Sequence, residues 1–83
     1  MIKRKKYVTV LSDGTIEMFI PFSSSIERLA WIDNSLAVQF VNKSKYKYEN
    51  VPIEIVQQLA VSFSPGSDFD SLVKKGGYKY TRL

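Results

Sequence analysis

Cysteine and histidine are both missing from the 83-residue sequence. Their absence excludes disulfide bonds, thiolate nucleophiles, the common zinc sites and imidazole acid–base catalysis. No apolar run approaches the roughly 20 residues of a membrane-spanning helix, and the apolar run at 8–11 is too short for the core of a signal peptide. The sequence therefore predicts a cytoplasmic protein that holds no metal ion and no cofactor.

Proline and glycine are scarce, with 3 and 4 residues, so they mark the few places where the chain turns or a helix ends. Apolar side chains are abundant: 45% of the residues are hydrophobic, including 5 tyrosines, 5 phenylalanines and 1 tryptophan. A chain of this length forms one domain. Its composition is that of a folded protein with a modest core.

The net charge of +4 is concentrated at the N-terminus, in the basic residues Lys3, Arg4, Lys5 and Lys6. Without these four, the 12 lysines and arginines fall to the number of aspartates and glutamates, which is 8. We therefore divide the chain into a basic N-terminal tag, residues 1–6, and a single domain, residues 7–83. Such a tag either binds polyanions or is only a solvated chain end, and both interpretations stay open.

Runs rich in β-branched and aromatic residues, most of them alternating with polar ones, predict five β-strands. They are residues 7–11, 16–20, 26–32, 36–41 and 43–48. The Asp13-Gly14 pair lies between the first two and is a strong hairpin signal, because both residue types tolerate positive φ. Residues 7–20 are therefore a β-hairpin, and short turns join the last three strands into an antiparallel meander.

The spacing of the apolar residues changes at Pro52 from the alternation of a strand to the three- and four-residue steps of a helix. Proline suits the first position of a helix. Apolar residues then recur at three- and four-residue steps, as on one face of a helix: Ile53, Val56, Leu59, Ala60 and Phe63. Residues 64–66 end this helix, Ser67 caps a second one, and Gly76-Gly77 ends that. The tail from Tyr78 is a last strand or is mobile. The predicted fold class is α+β: a small antiparallel β-meander of about five strands, covered on one face by two short C-terminal helices.

A set of residues spread over about 23–75 has a characteristic order and spacing: Ser25, Ile32-Asp33, Leu36-x-Val38-x-Phe40, Tyr46-x-Tyr48-x-x-Val51-Pro52, Leu59 and Ser64-Pro65-Gly66-x-x-Phe69. This set resembles the KTSC domain, which is named for the C-terminal extension of some lysyl-tRNA synthetases and also occurs alone in small bacterial and phage proteins. The resemblance implies a KTSC fold with Tyr46 and Tyr48 as its central pair. It also implies RNA binding, which the synthetase context suggests. The hairpin and the tag lie outside it.

The acidic residues do not form a catalytic pair. Glu49 and Glu54 fall on different elements, and Asp68 and Asp70, two residues apart on a helix, do not face each other. We interpret them as solvated surface groups and caps. The sequence therefore predicts a binding module that is not an enzyme and has no catalytic residue.

The first functional hypothesis is binding of RNA or another single strand through the lysine row Lys43, Lys45 and Lys47, beside Tyr46 and Tyr48. Single strands bind to cationic surfaces with exposed rings on which the bases stack. Neighbouring side chains of a strand point to opposite faces, however, so lysines at the surface place the two tyrosines in the core. Base stacking and packing within the sheet are therefore competing roles for these tyrosines.

Two alternatives stay open. The aromatic excess indicates a protein-interaction or self-associating module, in which the edge of the hairpin at residues 7–20 pairs with a second copy or a host protein. The other alternative is a pocket for a small anion such as a nucleotide, lined by the tyrosines, a lysine and Arg28. A small phage protein of this kind would act by binding a host molecule.

Overall fold

The chain folds into one six-stranded antiparallel sheet with two helices, in a computed structural model that describes residues 5–83. The strands are β1 (Tyr7–Val10), β2 (Ile16–Phe19), β3 (Ile26–Ile32), β4 (Ser35–Phe40), β5 (Lys45–Tyr48) and β6 (Tyr80–Arg82). Each strand pairs with its neighbour in sequence, so the sheet order is β1 to β6. The predicted meander is confirmed, and the C-terminal tail adds a sixth strand.

Tight turns join β1 to β2 and β3 to β4, whereas six residues, 20–25, connect β2 to β3. Gly14, at a φ of 92°, lies in the turn between β1 and β2, where the Thr15 N–H donates to Asp13 Oδ1 over 2.9 Å. Hydrogen bonds from Thr15 lower the pKa of Asp13 below its ordinary value, because they favour the ionised carboxylate. Asp33 and Asn34, at φ of 49° and 63°, connect β3 to β4 as a two-residue turn of left-handed residues.

β3 contains a bulge between Ile26 and Arg28, where its register with β4 shifts. Ile26 and Leu29 are three residues apart, a spacing that puts two side chains on opposite faces of a regular strand. The extra residue of the bulge changes the phase, so both side chains enter the core. The bulge therefore accounts for the imperfect alternation of residues 26–32.

Between β5 and β6 lie α1 (Ile53–Val61), α2 (Pro65–Leu72) and one turn of 3-10 helix (Lys74–Gly76). The first helix begins at Ile53, one residue later than predicted, and Pro52 is its extended N-cap. The second begins earlier than predicted, at Pro65 after the N-cap Ser64, so Ser67 lies inside the helix and is not its cap. Proline favours the first helical position because its φ is already helical and its missing N–H has no partner there. Gly77, at a φ of 81°, ends the 3-10 turn.

The helices pack against one face of the sheet, as predicted; we call it the covered face and the other the open face. Buried side chains of sheet, helices and connecting segments form the core: Met18, Ile20, Ile26, Leu29, Leu36, Val38, Tyr48, Val51, Val56, Leu59, Phe69 and Val73. At the edge of the core, Trp31 Nε1–H donates to the Val51 carbonyl oxygen over 2.8 Å. Neither α1 nor α2 has the length and apolar character of a membrane-spanning helix.

Candidate functional site

β5 places the predicted cations and phenols on different faces of the sheet. Lys45 and Lys47 are exposed on the open face, whereas Tyr46 is half-buried and Tyr48 is only 4% exposed, both on the covered face. The alternation of side chains along a strand dictates this separation. The extended conformation predicted for this segment is confirmed, but the lysines and tyrosines that the first hypothesis grouped do not share a surface.

Lys43 does not continue the lysine row, which corrects the prediction of three lysines in line. It lies in the turn before β5 with a φ of 75°, and its Nζ is 3.0 Å from Glu27 Oε1 in an ion pair. Gln39 Nε2 donates to Oε2 of the same carboxylate over 2.8 Å. A neighbouring carboxylate therefore balances Lys43, whereas no ion pair within residues 5–83 includes Lys45 or Lys47.

One line of side chains crosses the open face from β1 to β5. The registers of the four strand pairs place five residues side by side, and we call them the open-face row: Tyr7, Phe19, Arg28, Gln39 and Lys45. The row brings two predicted site residues, Arg28 and Lys45, onto one surface. It also adds Tyr7 and Phe19, which the sequence analysis did not single out. The Asp-Gly turn indicates that these two rings face each other, but not that they align with Arg28.

Two adjacent rings lie between two cations at the β1 end of the open-face row. The ring centroids of Tyr7 and Phe19 are 6.1 Å apart, with 28° between their planes. The Arg28 guanidinium carbon lies 5.2 Å from the Phe19 centroid, and Lys5 Nζ lies 5.1 Å from the Tyr7 centroid. Cation–π contacts of this kind contribute about 0.5–1 kcal/mol at exposed sites. They hold the rings beside positive charge while Tyr7 stays 50% exposed and Phe19 stays 37% exposed.

A shallow hollow occupies the middle of the open face. Ala30 and Ala37 are paired across β3 and β4, and their methyl groups are much smaller than the side chains around them. The hollow has a volume of about 340 Å³. Among the described residues that line it, Arg28 and Lys45 have cationic side chains and Glu17 has an acidic one.

The tyrosines line a second cavity, on the covered face beside β5 and β6, and we call it the tyrosine groove. Its volume is about 660 Å³, and its lining includes four rings and a lysine: Phe40, Tyr46, Tyr48, Tyr80 and Lys74. The Tyr80 centroid is 5.8 Å from that of Tyr46 and 5.5 Å from that of Tyr48. Burial, together with the phenols of Tyr46 and Tyr80, raises the pKa of Tyr48 above its ordinary value.

Arg28 does not line a pocket with Tyr46 and Tyr48, which corrects the nucleotide-pocket hypothesis for this residue. Its partner across β3 and β4 is Gln39, on the open face, so the sheet lies between the guanidinium and the phenols. Its position relative to the tyrosines depends on the bulge and the pairing of three strands, which the sequence alone does not determine. The lysine that lies beside the tyrosines is Lys74.

The described part of the basic tag is divided between two places. Lys5 contacts the ring of Tyr7 on β1, whereas the Lys6 ammonium donates to the Ser62 carbonyl oxygen just after α1. Lys3 and Arg4 lie outside the described residues. Within the described part of the tag, Lys5 is therefore the residue that adds charge beside the open-face rings.

The acidic residues of α2 form structural contacts. Ser62 Oγ donates to Asp68 Oδ2 over 2.5 Å, which ties the end of α1 to α2, and Asp70 Oδ2 lies 3.3 Å from Lys75 Nζ. No group of three metal-ligating His, Cys, Asp or Glu side chains occurs in the described part of the chain. The chemistry gathered in the open-face row and in the tyrosine groove is aromatic and cationic.

Comparisons with known proteins agree with this architecture. An uncharacterised protein of Stutzerimonas stutzeri (strain A1501) is 36% identical over 63 residues, which cover 74% of this chain and 89% of that protein. The crystal structure of a KTSC domain protein from Yersinia pestis is similar, with a TM-score of 0.67 and 25% sequence identity over 95% of this chain and 99% of that one. The KTSC domain family matches residues 22–80, which include the stretch that carried the resemblance in the sequence. The chain therefore belongs to the KTSC domain family.

Proposed function

We propose that this protein binds single-stranded nucleic acid, and RNA in particular, on the open face of its sheet. The observation that carries the proposal is the open-face row, in which exposed rings share one surface with cations that form no ion pair within residues 5–83. Single strands are bound by this combination, because the charge attracts the backbone and the rings stack on the bases. The first hypothesis assigned the stacking to Tyr46 and Tyr48, and the proposal assigns it to Tyr7 and Phe19.

Tyr7 and Phe19 form the stacking platform of the proposed site. Both rings are exposed, and their mutual contact fixes their orientation at the surface. A base stacked on such a ring contributes about 1–3 kcal/mol to binding. The guanidinium of Arg28 is planar and lies next to Phe19, so it adds another flat surface to the platform. Because every base has a π-face, we expect little preference for sequence.

Arg28, Lys45 and Lys47 supply the positive charge that the phosphates require. Neighbouring strands lie about 4.8 Å apart, so the step from Arg28 on β3 to Lys45 on β5 spans about 10 Å. The hollow above Ala30 and Ala37 leaves space for the bound nucleic acid between these cations. Because none of the three forms an ion pair within residues 5–83, each can contact a phosphate without first breaking one.

The family context supports RNA as the ligand. The resemblance described above is to a domain that extends some lysyl-tRNA synthetases, and those enzymes act on RNA. A role of this kind also agrees with the chain's lack of cysteine and histidine, because binding by rings and cations needs neither residue. Since RNA is a cytoplasmic ligand, we place the proposed activity in the cytoplasm.

Fluorescence anisotropy with a labelled single-stranded RNA oligonucleotide tests whether the cations of the open face contribute to binding. The measurement is made at low salt, because phosphate contacts weaken as salt rises. Two double variants lose the same charge: Lys45→Gln/Lys47→Gln on the open face, and Lys74→Gln/Lys75→Gln beside the helices. We expect the first pair to weaken binding several-fold and the second to leave it near wild type. Equal losses, or no binding by the wild type, contradict the proposal.

A second matched pair tests the rings. Phe19→Ala removes part of the stacking platform, whereas Phe63→Ala removes a ring that is 90% exposed between α1 and α2. We expect Phe19→Ala to weaken RNA binding and Phe63→Ala to leave it unchanged. If the two variants bind RNA equally well, the open-face rings take no part in binding.

Self-association is a second candidate role, and the position of β1 favours it. This strand is at the edge of the sheet, and all four of its residues are exposed, Val10 by 68%. An exposed edge strand offers backbone donors and acceptors to a strand of a second copy. Light scattering across micromolar to millimolar concentration tests for self-association. A protein that stays monomeric over this whole range does not have this role.

A further inference from the structure

We propose that the tyrosine groove is a separate binding site for a small molecule that combines a flat ring with an anionic group, such as a nucleoside monophosphate. The groove lies on the covered face, so the sheet separates it from the open-face row. This inference therefore does not rest on the binding of RNA by the other face.

The groove has the size and the mixed lining of a small-molecule site. Its volume of about 660 Å³ falls within the roughly 300–1,000 Å³ that is usual for ligand pockets. Rings form one part of its lining, and short polar side chains form another: Ser24, Ser25, Asn42 and Ser44. A ligand with one apolar, flat part and one polar, charged part matches such a lining.

The rings are held in place before any ligand binds. Phe69 of α2 meets Phe40 and Tyr48 edge-on, at centroid distances of 5.9 Å and 5.6 Å. Phe40 in turn meets Tyr46 edge-on at 5.8 Å, and Tyr80 leans on Tyr46 at a tilt of 59°. Because these contacts already fix the rings, binding a flat ligand costs little further side-chain entropy.

The charge of the groove selects an anion. Lys74 Nζ lies 5.0 Å from the centroid of the Phe40 ring, and within residues 5–83 it forms no ion pair. The adjacent Lys75, in contrast, is paired with Asp70. None of the described residues that line the groove is acidic. A lysine beside aromatic rings, with no carboxylate to balance it, is suited to bind the anionic group of a ring-bearing ligand.

The phenol groups add hydrogen-bond donors. Tyr46, Tyr48 and Tyr80 make no side-chain hydrogen bond within residues 5–83, and no buried polar side-chain atom there is left unsatisfied, so their hydroxyl groups keep some contact with solvent. At neutral pH, well below the ordinary phenol pKa of 10.0, the Tyr48 hydroxyl is protonated and can donate to an anionic oxygen.

Isothermal titration calorimetry with adenosine monophosphate tests this proposal, with adenosine and inorganic phosphate as the two halves of the probe. Lys74→Gln and Lys75→Gln are a matched pair, since they remove the same charge from adjacent residues and Lys74 alone lines the groove. We expect the whole nucleotide to bind more tightly than either half. We expect Lys74→Gln to weaken its binding roughly tenfold, the effect of one charged hydrogen bond, and Lys75→Gln to leave it unchanged.

Three results overturn the proposal: no heat with adenosine monophosphate, equal weakening by the two lysine variants, or phosphate that binds as tightly as the nucleotide. The open-face variant Lys45→Gln/Lys47→Gln separates this site from the other one. It retains nucleotide binding if the ligand occupies the tyrosine groove, and it loses nucleotide binding if the ligand sits on the open face.

Discussion

Lys45 and Tyr46 are adjacent in the chain, yet their side chains lie on opposite faces of β5 and have different surroundings. The ammonium of Lys45 reaches the hollow of the open face, while the ring of Tyr46 packs between Phe40 and Tyr80. At this scale, the face that a side chain reaches depends on whether its position in the strand is odd or even. Nearness in the chain does not give two lysines the same surroundings either, because Lys43 forms an ion pair with Glu27 and Lys45 does not.

Substitution of two neighbouring lysines is expected to affect RNA binding differently. For single strands, each phosphate contact changes the slope of log K against log salt by about 0.7. Lys45→Gln removes a cation with no ion pair within residues 5–83, so we expect the slope to become shallower by about that amount. Lys43→Gln removes a cation that is already paired with Glu27, so we expect a smaller change. Anisotropy titrations over a salt series measure both slopes, and equal changes contradict the assignment.

The raised pKa of Tyr48 predicts how the free energy of unfolding changes at alkaline pH. Burial, and then the phenols of Tyr46 and Tyr80, raise its pKa above the ordinary value of 10.0. Above that pH the unfolded chain loses a proton that the folded chain retains, so the free energy of unfolding falls as pH rises towards the folded pKa. We expect Tyr48→Phe to make this fall shallower, because phenylalanine does not ionise. Urea unfolding of both proteins at a series of alkaline pH values measures this fall. An equal fall in Tyr48→Phe and in the wild type shows that Tyr48 does not cause it.

At the scale of elements, the hairpin of β1 and β2 supplies the aromatic half of the open-face row. Tyr7 and Phe19 both precede residue 22, where the match to the KTSC domain family begins. The cations Arg28 and Lys45 and the whole tyrosine groove lie within the matched stretch. The proposed stacking platform therefore belongs to a hairpin outside the family match, paired with strands that the matched stretch provides.

Phe69 is the largest side chain that α2 buries against the sheet. Phe69 is 1% exposed and contacts Phe40 and Tyr48, so Phe69→Ala leaves a cavity that we expect to cost about 3–5 kcal/mol of unfolding free energy. Phe63 is 90% exposed, so we expect Phe63→Ala to change stability by no more than about 0.5 kcal/mol. Urea denaturation of both variants gives the comparison. A small loss from Phe69→Ala contradicts the packing described for α2.

The elements differ in how far the sequence predicts them, and the reason is physical. The Asp13-Gly14 turn, the period that begins at Ile53 and the alternation in β4 are local signals, and each was sufficient for its element. The period predicted Phe63 on the apolar face of the first helix, which was wrong, because α1 ends at Val61 and Phe63 is 90% exposed. The bulge in β3, the pairing of β6 with β5 and the ion pair of Lys43 depend on residues far apart in the chain. The open-face row depends on the register of four strand pairs at once, so no local pattern points to it.

The whole molecule is a single sheet with two unlike faces, one covered by helices and one open. The described chain measures about 39 × 28 × 21 Å, so a ligand that covers the open-face row spans much of the sheet. The two faces present separate chemistry: exposed rings and cations lie on one, and a cluster of tyrosines lies beside Lys74 on the other. The central claim at this scale is that RNA contacts the open face and leaves the covered face unchanged.

Methyl NMR tests that claim most directly, with a single-stranded RNA oligonucleotide titrated into the wild-type protein. The methyl groups of Ala30 and Ala37 form the floor of the open-face hollow, whereas those of Val56 and Leu59 lie in the core beneath the helices. We predict that RNA shifts the two alanine signals and leaves the valine and leucine signals in place. RNA binding that leaves both alanine signals unmoved would contradict the account.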